Sequence, residues 1–110
     1  MINDKISKIE EKINHSTNIS ENSKKDLIKL IADLKEEIKG LESEHNEEAQ
    51  SIAHFAESST HEATKNNKND NLIEYSLKGL TTSVSDFENT YPKLTDTVNS
   101  IADILSNLGI

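Results

Sequence analysis

Two spacings in the sequence are of the kind that can hold chemistry. Glu42 and His45 form a Glu-x-x-His pair, the step by which one bundle helix aims a carboxylate and an imidazole at the same metal ion. In di-iron bundles two such pairs are joined by two further glutamates, so a chain with one pair needs a second copy to complete a centre. Glu44, Glu47 and Glu48 lie near enough in sequence to assist. The competing reading is a solvated acidic face carrying an incidental histidine, and it is the one adopted: no metal site is expected, with Glu42 and His45 the alternative.

The second spacing is His54, Glu57 and His61, which share one helical face. The two imidazoles would stand ~10 Å apart along the axis, too far to share an ion unaided. His61-Glu62 opens like a zinc-protease motif, but Lys65 occupies the position of the second histidine. The many Ser and Thr lie in no Gly-x-Ser-x-Gly elbow, and no glycine-rich loop is present to cradle phosphate. Cysteine is absent, which removes thiol nucleophiles and thiolate metal sites. The chain therefore reads as non-enzymatic, with no catalytic residue and no cofactor.

Charge narrows the partners. The formal net charge is -8, and all 12 cations are lysines. Arginine supplies the planar fork that grips phosphates and guanine edges, so an acidic chain without it is a poor nucleic-acid binder. The same charge disfavours anionic membrane surfaces. From Glu36 to Glu48 six glutamates face Lys39 alone, a run that usually marks a solvated helix face. The opening Met1-Ile2-Asn3-Asp4-Lys5 lacks the basic and then apolar stretch of a secretory signal, and no apolar run approaches the ~20 residues that span a bilayer. A cytoplasmic protein is expected.

The elements that would position these groups are helical. Only 33% of the 110 residues are hydrophobic, tryptophan is absent, and Gly and Pro number three and one. Too few turn formers are present for a many-stranded sheet. Ile2, Ile6, Ile9 and Ile13 recur at steps of four and three, the stripe of an amphipathic helix. Leu27, Ile31, Leu34, Ile38 and Leu41 repeat the pattern, widened by Ile28 and Leu30. Ala49, Ile52, Ala53, Phe55, Ala56 and Ala63 continue it more weakly, and Gly40 is read as tolerated within one long helix. The Asn-rich run 65–70 is the clearest loop. Beyond it Ile73, Leu77, Leu80, Val84, Phe87 and Tyr91 form a third stripe, and Leu94, Val98, Ile101, Leu105 and Leu108 a fourth. Pro92 separates the two, and Gly109 stands where a left-handed residue commonly ends a helix.

The expectation is an all-α fold without strands: three to four helices over about 3–15, 21–64, 71–90 and 92–108, with coiled-coil-like packing. The second helix would be ~65 Å long and would form an antiparallel hairpin with the pair after the loop. A rod of that length leaves part of its stripe uncovered, so a homodimer is expected, with an unidentified protein partner besides. Leu34, Ile38, Leu80, Val84, Phe87, Ile101 and Leu105 are the candidate interaction and core residues.

The stretch from Phe87-Glu88 through Tyr91-Pro92-Lys93-Leu94, followed by Ile101-Ala102-Asp103-Ile104-Leu105 and Leu108-Gly109-Ile110, resembles the tail of a small bacterial family, DUF4404. The first helix pair is similar to that family's amino-terminal half, and Ala53 to Thr64 looks like a longer variant within it. The resemblance implies a bacterial, cytoplasmic, helical protein. It transfers no catalytic residue, because the family has no established activity.

Overall fold

The helical periodicity is realised in five α-helices and one 3₁₀ turn, described for residues 2–108 in a computed structural model. They are α1 (Ile2–His15), α2 (Glu21–Glu42), α3 (Asn46–Thr64), α4 (Asp70–Val84) and α5 (Pro92–Leu108), with the 3₁₀ turn at Ser85–Phe87. No strand occurs among the described residues. Gly109, expected to end the last helix, lies outside them.

α1 buries all four of its stripe isoleucines. The chain leaves it through a short turn in which the Ser16 hydroxyl accepts from the Asn18 amide at 3.4 Å and Ile19 is drawn into the core. Ser20 then caps α2, its hydroxyl accepting the Ser23 amide at 3.2 Å. Such a cap satisfies a helix-terminal donor that would otherwise lack a partner, and is worth about 1 kcal/mol.

One expected helix over 21–64 is in fact two. Gly40 is helical and does not interrupt α2; the break comes at residues 43–45. There the His45 amide donates to the Leu41 carbonyl at 2.9 Å, closing α2, while the His45 carbonyl accepts from Ala49 at 2.9 Å and opens α3. The largest dimension of the molecule is 37 Å, so α2 and α3 fold back on each other. A two-rod hairpin of ~65 Å does not form.

The expected helix over 71–90 also ends early, at Val84. Asn69 caps its start, its side-chain oxygen accepting the amides of Asn71 and Leu72 at 3.0 and 3.2 Å. Near its end the hydroxyls of Ser83 and Ser85 bond the carbonyls of Leu80 and Thr82 at 2.6 and 2.8 Å, local bonds that compete with the helical ladder. Pro92 is the first residue of α5, where its missing amide costs nothing and its fixed φ favours the helix.

Neighbouring helices close into a ring: α1 packs on α2, α2 on α5, α5 on α4, α4 on α3, and α3 back on α1. One apolar cluster draws residues from all five. The stripes thus face one another inside a single chain.

Candidate functional site

Helix termination separates the two residues of the Glu-x-x-His pair. Glu42 is the last residue of α2 and exposed, and it lines a shallow polar depression with Ile2, Asn3, Asn46 and Gln50. His45 sits in the break with extended φ (−133°), half-buried among aromatic edges. Its ring meets Phe87 at 5.1 Å and Tyr91 at 6.1 Å, both edge-on, and those two rings meet each other at 5.7 Å. Such contacts are worth about 0.5–1.5 kcal/mol each between aromatic rings. His45 acts as a wedge that joins the α2–α3 break to the turn before α5.

The second histidine face is likewise divided. His54 is exposed and lies edge-on to Phe55 at 5.4 Å. His61 Nδ1 is 3.5 Å from Lys12 Nζ, across the α1–α3 seam. Beside it Lys8, Lys12, Glu57, Ser58 and Glu62 line an open charged cleft, in which Glu62 pairs with Lys65 at 2.6 Å. No group of three or more metal-ligating side chains converges among the described residues.

One titratable side chain is set into a helix seam. Glu37 on α2 accepts a hydrogen bond from the Thr97 hydroxyl of α5 at 3.1 Å, while its other oxygen is buried without a hydrogen-bond partner. Burial raises its pKa above the ordinary carboxylate value; the Thr97 bond opposes this, Asp33 adds to it, Lys93 opposes it, and Asp96 adds to it. The charged form is disfavoured where it lies.

Leu34, Ile38, Leu80, Val84, Phe87, Ile101 and Leu105 are all buried, from 0% to 7% exposed, so they build the interior of the single chain and are not available on its surface. Among the described residues the exposed large hydrophobics are two that the stripe reading passed over, Leu72 at 43% and Tyr75 at 74%. Both stand on the outer side of α4. Tyr75 borders an open groove of about 480 Å³ between α3 and α4, shared with Phe55, Lys78, Gly79 and Thr82. Gly79 lies under the Phe55 ring: a Cβ at that position would overlap the ring, so the ring rests against bare helix backbone. The available signal was two apolar residues adjacent to the Ile73 stripe but off it, and a glycine inside a helix.

Among the described residues the protein is small and all-helical, its polar clusters are dispersed, and its two exposed large hydrophobic side chains stand on one helix. The chain belongs to the family DUF4404, a domain of unknown function, whose model matches residues 48–110. That segment begins in the first turn of α3 and runs through α4 and α5, leaving α1 and α2 ahead of it. No curated protein and no solved structure matches the chain. Among the described residues, no helix is long and apolar enough to cross a membrane.

Proposed function

We propose that this protein is a non-enzymatic helical interaction module, acting in the bacterial cytoplasm by binding protein surfaces, another copy of itself among them. The observation that carries this reading is the position of Leu72 and Tyr75: apolar, exposed, three residues apart on one helix, and beside the groove that Phe55 and Gly79 form. An exposed aromatic next to a concavity is the usual anatomy of a binding anchor.

The test is a comparison of full-length protein with a Leu72→Ser/Tyr75→Ser variant, each immobilised and exposed to host lysate. The expected outcome is at least one protein retained in stoichiometric amount by the wild type and lost by the variant. Identical retained sets for the two, with the variant's helical circular dichroism intact, would sink the reading.

A further inference from the structure

The break at 43–45 divides the chain into a hairpin, α1–α2, and a unit of three helices, α3–α5. The two halves meet along helix faces: α1 lies on α3, and α2 lies on α5 and α3. Two polar contacts cross the same boundary, Lys12 to His61 at 3.5 Å and Thr97 to Glu37 at 3.1 Å. The isoleucine and leucine stripes of α1 and α2 are buried in the shared interior. Parted from α3–α5, those stripes would face water and require an equivalent surface.

The join between the halves is lightly built. Residues 43–45 are Ser, Glu and His, with no Gly or Pro to impose a turn. Among the described residues none takes a positive φ. Ser43 is still helical (φ −64°, ψ −33°), and the His45 amide still makes the helical bond to the Leu41 carbonyl at 2.9 Å. His45 itself departs, with φ −133° and ψ 55°, and no side chain caps the start of α3. The amides of residues 46, 47 and 48 are therefore without a helical acceptor. In a helix running straight through the join they would donate to the carbonyls of residues 42, 43 and 44. Straightening gains those bonds and gives up the edge-on contacts of the His45 ring with Phe87 and Tyr91.

We infer that His45 is a hinge through which two copies of the chain exchange their α1–α2 hairpins. In the exchanged pair residues 21–64 form one helix in each copy, and each hairpin seats on α3–α5 of the other. The inference rests on the self-association half of the proposed function and gives it a route separate from the outer face of α4. A second copy is the occupant because its hairpin carries the very residues that already fit this surface. Every contact between the halves, Lys12 with His61 and Thr97 with Glu37 included, is remade between chains. Exchange of identical elements is a low-cost route to a dimer, since the balance turns on the hinge and on the freedom lost in pairing. The His45 ring is the latch that favours the single-chain form.

Exchange requires the halves to part, so the test is refolding of the full chain from urea at micromolar and at millimolar concentration, followed by sedimentation and small-angle X-ray scattering. The expected product at millimolar concentration is a dimer at least ~65 Å long, the length of a helix over 21–64, against 37 Å for the single chain. Asn46→Pro separates exchange from any other pairing. Residue 46 is the first of α3, where proline suits the folded-back chain, whereas in a straight helix it is interior and loses the bond to residue 42. That variant should keep its helical circular dichroism and lower the association constant about a hundredfold or more. His45→Ala should raise it about tenfold, by removing the ring contacts that hold the hinge bent.

A dimer unmoved by Asn46→Pro, or one too short to contain the straight helix, overturns the exchange and leaves self-association standing. The scattering measurement needs no variant, so it decides the matter even if proline at 46 unfolds the chain. A strict monomer after millimolar refolding overturns the inference together with the self-association half of the proposed function. A His45→Ala protein that pairs no better than wild type overturns the latch.

Discussion

In α1 and α2 every buried residue is Ile or Leu; in α3 the buried set is Ala49, Ile52, Ala53, Ala56, Ser59, Thr60 and Ala63. Both regions shed water almost completely, by different means. The first fills the interior with branched side chains. The second uses small ones, which let the neighbouring backbones come close, α1 on one side and α4 on the other. Hydroxyls are tolerated there because they bond within the helix: Ser59 to the Phe55 carbonyl at 2.6 Å, Thr60 to Ala56 at 2.8 Å. The difference teaches which kind of substitution each region will resist. Volume is scarce in the α3 seams and is needed around α1 and α2.

The sharpest way to break this comparison lies in the large-residue region. Leu34 is fully buried, so Leu34→Ala should lose about 2–5 kcal/mol from the missing side chain and the cavity it leaves. Urea unfolding measures it. A loss below about 1 kcal/mol would mean that the interior is loosely filled and that the contrast with α3 is false.

Two glycines sharpen the comparison with opposite signs. Gly79→Ala pushes a methyl into the Phe55 ring and should cost about 1–3 kcal/mol, the range for overpacking. In a Phe55→Ala background the same change should become neutral or favourable, so a double-mutant cycle isolates the contact. Gly40 sits in an exposed helical position with nothing near its missing Cβ. Gly40→Ala should therefore stabilise by about 1 kcal/mol through helix propensity alone. Equal effects at the two glycines would erase the distinction between the regions.

The smallest expected effect concerns the seam between α2 and α5. Because the folded pKa of Glu37 lies above its unfolded value, its stabilising contribution is complete below the unfolded value, about 4.3, and disappears as pH rises through the folded one. Glu37→Gln should thus flatten the stability profile across that window and be the more stable protein at neutral pH. Denaturation midpoints taken at acid and neutral pH decide it. A variant that is less stable than wild type at pH 7 would show that the carboxylate is welcome in the seam.

Periodicity made the interior legible from sequence, since a side chain every third or fourth position must turn toward its neighbours whatever the path of the chain. Leu34, Ile38, Leu80 and Ile101 are interior for that reason. It could not reveal the fold-back at 43–45. Leu41, His45, Ala49 and Ile52 keep the helical step straight across the break, so the sequence pattern continues where the backbone does not. Helix ends depend on capping and on what the next segment packs against, and the His45 wedge is a long-range contact with Phe87 and Tyr91. The outer face of α4 escaped notice for a related reason. Leu72 and Tyr75 adjoin a stronger stripe, and only three-dimensional burial separates the residues that are covered from those that are not.

The Phe55 ring resting on the bare backbone at Gly79 makes two positions on different helices a single unit of inheritance. Either can drift only if the other compensates: bulk gained at 79 has to be accompanied by a shortened side chain at 55. Among relatives these two columns should therefore vary together, and a lineage that escaped the constraint would need α3 and α4 set further apart.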